Sequence, residues 1–92
     1  MNKYAEIEYW YEQWGGGGNG LSEAISNIRL DFLNQTGHLN KLFKIAEKEA
    51  YDGDIDGLRD TLSQAHDTAA FSEDKEWIDA LLDFIFNIEQ YA

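Results

Sequence analysis

The chain has 92 residues, no cysteine and no proline, and 18 Asp and Glu against 7 Lys and Arg, a formal net charge of −11. That length suits one domain. The lack of cysteine excludes a disulfide scaffold and thiolate metal sites, and 43% hydrophobic with 14% aromatic residues is too apolar for a disordered acidic tail.

Residues 4–14 fit two patterns. Tyr4, Ile7, Tyr11 and Trp14 share a helix face, whereas Ala5, Ile7, Tyr9 and Tyr11 share a strand face. The rest of the chain offers few strand partners, which favours helix. Residues 15–20 hold five of the eight glycines and read as a flexible linker. A phosphate-binding loop would need a following Lys-Ser/Thr or a GxGxxG turn, and neither is present.

Leu21, Ala24, Ile25, Ile28 and Phe32 predict a helix over 21–36, with Asn19 or Ser22 as cap and Gly37 as a left-handed stop. A second runs over 39–51, with Leu39, Leu42, Phe43, Ala46 and Ala50 apolar and Lys41, Lys44 and Lys48 on a basic face. A third spans 54–70, where Ile55, Leu58, Leu62, Ala65 and Ala69 share a face. The short turn at 53–62 is similar to the hairpin turns of helical repeat proteins, but one unit makes no array. The last helix follows a Ser72 cap, with Glu73 and Asp74 in its first turn. Its apolar stripe is Trp77, Ile78, Leu81, Phe84, Ile85, Ile88 and Tyr91, and Glu76, Asp79 and Asp83 form an acidic stripe opposite. The expected fold is all-α: a single domain over 1–92, a small bundle of three to four helices, with segment 4–14 joined through the glycine linker. No apolar run approaches the roughly 20 residues of a membrane span. Residues 1–6 lack a signal-peptide core. A cytoplasmic protein is expected.

The charge is uneven. Residues 1–46 hold five acids and four bases, and residues 47–92 hold thirteen acids and three bases. Such a field repels nucleic acid and anionic membranes and favours a basic partner. A purely solubilising acidic surface would look the same.

Three constellations bear on chemistry. Asp52-Gly53-Asp54-Ile55-Asp56-Gly57 resembles the opening of an EF-hand calcium loop, but position 12 is Ser63 where a bidentate Glu is needed. Asp52, Asp54 and Asp56 are therefore a weak calcium candidate, and a turn with a helix cap is the reading the sequence favours. Ser63, His66 and Asp67 suggest a nucleophile, base and acid. Adjacent residues diverge by about 100° on a helix, so Asp67 does not orient His66, and His38 has no evident partner. Carboxylate pairs are too abundant to mark a glycosidase. No enzyme and no cofactor are expected.

Acids beside aromatics remain. Asp56, Asp60, Glu76, Asp79 and Asp83, with Phe86, Tyr9 and Trp10, are the candidate partner-binding residues, because aromatic anchors amid charge are typical of interfaces. Trp10, Trp14, Trp77 and Phe84 also suit an ordinary core. In size and charge, though in no motif, the chain looks like the small acidic inhibitors of phages and mobile elements, including anti-CRISPR and anti-restriction proteins. That likeness implies a DNA-mimic surface that blocks a basic, nucleic-acid-binding protein. The same charges would suit an immunity or antitoxin protein that caps a basic nuclease. A third reading is an assembly protein, at least a homodimer, docking through segment 4–14.

Overall fold

The computed structural model describes residues 2–90. Five helices follow in order: α1 (Lys3–Gln13), α2 (Gly17–Asp31), α3 (His38–Asp52), α4 (Ile55–Thr68) and α5 (Ser72–Gln90). The class is all-α as expected; the expected bundle of three to four helices has five, one for each of the five segments that the sequence pattern marks. Tyr91, which the sequence pattern adds to the α5 stripe, lies outside the described residues, as does the Gln90 side chain.

Each helix packs on the one before and the one after it, and α5 closes back onto α1. The result is a ring of five helices around a shared core. That core takes Ile7 from α1, Ile25 and Ile28 from α2, Phe43 and Ala46 from α3, Leu58 and Leu62 from α4, and Ile78, Leu81 and Ile85 from α5, all fully buried. Burial of these faces is the main favourable term, since helices this short are marginal alone.

Segment 4–14 is helical. Asn2 caps α1 by accepting the Ala5 N–H at 2.7 Å. Lys3 and Trp10 both reach Trp77, while Tyr4 and Tyr11 both set their rings edge-on against Phe84. Residues seven apart on α1 thus meet the same residue of α5, so α1 crosses α5 instead of running alongside it. Tyr4 Oη also accepts from Asn87 Nδ2 at 2.7 Å. Trp14, expected on the inner face, sits at the α1 C-cap and is exposed.

The glycine run is a helix start and a packing surface, not a free linker. Positive φ at Gly15, Gly16 and Gly17 turns the chain sharply, and α2 then begins at Gly17. A Cβ on Gly18 would stand 2.5 Å from the Ala50 carbonyl oxygen, and one on Gly20 would stand 2.5 Å from that of Tyr11. The missing side chains let α2 approach the ends of α3 and α1. Neither Asn19 nor Ser22 caps α2; Asn19 Nδ2 instead donates to the Trp14 carbonyl at 3.0 Å.

α2 stops at Asp31, before the expected 36, and Gly37 opens α3 rather than ending α2. Residues 34 and 35 between them are tied down by α5. Asp74 is 0% exposed. It accepts from the Asn34 backbone N–H at 2.8 Å, Asn34 Nδ2 at 3.2 Å and the Gln35 N–H at 3.1 Å. Gln35 in turn accepts from the Ala70 N–H at 2.8 Å and donates to the Thr68 carbonyl at 3.3 Å. Asp74 is therefore not part of the acidic surface. Ser72, expected as the α5 cap, is its first helical residue.

Two outcomes check this packing. Gly→Ala in an open helix gains up to about 1 kcal/mol, whereas Gly18→Ala and Gly20→Ala here should each lose about 1–3 kcal/mol because the new methyl meets backbone. Urea unfolding reads the sign. Asp74→Ala strands two backbone donors and should lose about 3 kcal/mol, visible as a lower urea midpoint at unchanged slope.

Candidate functional site

The acids expected to act together lie on the outer faces of two neighbouring helices. Glu76, Asp79 and Asp83 recur at i, i+3 and i+7 on α5, all exposed, with Phe86 one turn further on at 55% exposure. Their direction is opposite to Ile78, Leu81 and Ile85, so the core face of α5 forces them outward. Asp56 and Asp60 are exposed on α4.

The contacts show how the two helices are arranged. His66 Nε2 lies 3.2 Å from Asp79 Oδ1, and Arg59 pairs with Glu89. The later α4 residue meets the earlier α5 residue, so the helices are antiparallel. Asp56 and Asp60 consequently stand beside the far end of α5, near Glu89 rather than Glu76. The acid the structure brings next to Asp79 is Asp67, with which it lines a shallow depression shared with Ser63, His66 and Leu82. Sequence reasoning weighed Asp67 only as a triad member. Its exposed setting beside Ser63 and Asp60 on α4 was the available signal.

Ser63, His66 and Asp67 form no relay; His66 turns to Asp79. This pair is a surface contact, with side chains 35% and 61% exposed, and contacts of that kind contribute little to stability.

Tyr9 is exposed on α1 together with Glu8 and Glu12. Trp10, expected at a partner surface, packs inward. Its ring lies 5.8 Å from Phe32 and 6.0 Å from Trp77, and Phe32 and Trp77 are 4.9 Å apart. These three rings seal the seam where α1, the end of α2 and α5 meet. Lys3 Nζ sits 5.3 Å from the Trp77 ring and 3.4 Å from Glu76.

The calcium-loop resemblance resolves into a helix hinge. Gly53 is left-handed at the α3 C-cap, the Asp54 N–H bonds back to the Glu49 carbonyl, and Asp54 Oδ1 caps α4 by accepting the Gly57 N–H at 3.1 Å. Asp52 pairs with Lys48 at 3.3 Å. Among the described residues no three His, Asp or Glu side chains form a metal-holding group.

Overall, α1 and α5 carry nine acids against Lys3 and Lys75, and so hold most of the excess negative charge. α3 holds three lysines and three acids. Two of those acids turn to neighbours or the hinge: Glu47 grips Arg29 of α2 at 2.6 Å, and a Glu49 oxygen is buried without a hydrogen-bond partner. The outer face of α3 carries Lys41, Lys44, Ile45, Lys48 and Tyr51, with exposed Asp52 at its end paired to Lys48. No helix among the described residues is long and apolar enough to cross a membrane.

Comparison with known proteins finds no family model, no curated protein and no solved structure that matches this chain.

Placement separates the two aromatics experimentally. Trp10→Ala opens the three-ring seam and should cost about 2–3 kcal/mol. Phe86→Ala removes an exposed ring and should change stability by less than about 0.5 kcal/mol. Thermal unfolding of both variants makes the comparison.

Proposed function

We propose that this chain is a non-enzymatic binding protein whose acidic α5 face, flanked by Asp67 of α4, occupies the basic surface of a nucleic-acid-binding protein. The observation that supports this reading is the exposed row Glu76, Asp79 and Asp83 with Phe86 at its end, fixed on a helix whose opposite face is the core. A rigid row of carboxylates presents the line of negative charge that a phosphate backbone presents. It draws a Lys- and Arg-rich surface at high rate and sets its orientation. Phe86 adds a desolvated contact that charge alone lacks. The carboxylates stand ready at little ordering cost because the helix already holds them. The likeness in size and acidity to phage anti-CRISPR and anti-restriction inhibitors makes anti-defence blocking the first role to test.

A tagged chain is incubated with nuclease-treated host lysate and washed at rising salt. One nucleic-acid-handling protein should be retained, released by salt and displaced by added DNA or RNA. Asp79→Lys with Asp83→Lys should weaken that retention at least about tenfold while circular dichroism stays unchanged. Retention that survives the double reversal would sink the reading.

A further inference from the structure

Two helices on separate sides of the ring carry outward stripes of matching spacing and opposite charge. On α3, Lys41, Lys44, Lys48 and Tyr51 fall at i, i+3, i+7 and i+10. On α5, Glu76, Asp79, Asp83 and Phe86 fall at the same intervals. All eight side chains are exposed, Tyr51 at 66% and Phe86 at 55%. At about 100° per residue each stripe points away from the buried face of its own helix. Within one molecule α4 stands between the stripes on one side, and α1 and α2 on the other.

Alternating steps of three and four are those of a coiled-coil seam, where parallel helices set equivalent positions at equal height. Placed parallel and in register, the two stripes match at every level. Lys41 faces Glu76, Lys44 faces Asp79, Lys48 faces Asp83, and Tyr51 faces Phe86. The antiparallel arrangement sets Tyr51 against Glu76 and Phe86 against Lys41, so neither ring gains an aromatic neighbour.

We propose that the chain self-associates head to tail, with the α3 stripe of one copy lying parallel and in register on the α5 stripe of the next. The contact is heterologous, so each copy keeps one free stripe of each kind and association continues unless a ring closes. It exchanges exposed pairs of little worth, Lys48–Asp52, Lys3–Glu76 and His66–Asp79, for paired stripes. One helix face per partner is a small interface, and the net charge of −11 opposes approach. The association is therefore weak, appears at high protein concentration, and needs moderate salt to screen the overall repulsion without dissolving the stripe contacts. It covers the α5 face of every copy but the terminal one, the same face offered to a basic partner.

The natural chain has no cysteine, so single-cysteine variants report the register directly. Tyr51→Cys is mixed with Phe86→Cys under mild oxidation at about 100 mM salt, and the mixed disulfide dimer is identified by mass. It should form at least about tenfold faster than the Lys41→Cys and Phe86→Cys mixture or either homodimer, because only the in-register pair has a high effective concentration. At about 1 M salt this advantage should vanish. Equal rates for all pairs, or a faster 41–86 link, overturn the proposal. Sedimentation supplies the second readout. Lys44→Glu with Lys48→Glu, and Asp79→Lys with Asp83→Lys, should each sediment as monomers, and mixing the two should restore association by recreating complementary stripes. If mixing restores nothing, or if both variants associate as the natural chain does, the stripes are not the contact. Only this chain is in the tube, so failure here leaves the binding of a basic partner untouched.

Discussion

Asp74 is the point at which the ring of helices is tied. Its carboxyl group is fully buried and both oxygens accept from residues 34 and 35, the segment that carries the chain from α2 to α3. Gln35 passes the tie on by bonding Thr68 and Ala70, where α4 turns into α5. One side chain on α5 therefore sets both the α2–α3 and the α4–α5 connections. These bonds also satisfy polar backbone that would otherwise be stranded, an unmet demand that costs more than a made hydrogen bond returns. With both connections held, the start of α5 is fixed relative to the other helices, and so is the direction of its outer face.

The surface charges follow from that frame. The core claims Ile78, Leu81 and Ile85, so Glu76, Asp79 and Asp83 have only solvent to face. On α3, Leu42, Phe43, Ala46 and Ala50 are buried, so the lysines must be outside. The molecule is polarised because the outer faces of α3 and α5 carry opposite charges and the two helices are not neighbours in the ring. An acidic face suited to a basic partner and a basic face suited to that acidic face are two consequences of one arrangement.

Much of this was legible in the sequence where periodicity was strong. The apolar faces of α3, α4 and α5 run at three- and four-residue steps, and the described residues on them are buried except Ile55 and Ile88, which are half-buried. Phe86 sits off the α5 stripe by angle and is exposed as that angle implies. Gly53 and Asp54 form the expected stop and cap. The misreadings share a cause: the deciding neighbour is distant in sequence. Glycine's low helix propensity argued for a linker at 15–20, but close approach to Ala50 and Tyr11 makes Gly18 and Gly20 helical packing residues. Trp10 looked like a surface anchor until Phe32 and Trp77 are seen against it. Asp74 lies four residues before Ile78 and seven before Leu81, on the core face, and that spacing was the signal that it would be buried.

The sequence by itself determined the helical class, the direction in which each strongly amphipathic helix faces, and the concentration of acid in the second half. These are local properties, set by the 3.6-residue turn and by the identity of each side chain. Only the tertiary structure decided which faces adjoin. It set Asp67 rather than Asp56 beside Asp79, drew Trp10 inward, made helix of the glycine run, and held the lysine and carboxylate stripes on separate sides. Those outcomes depend on contacts between residues far apart in the chain, and no local spacing records which helix becomes the neighbour of which.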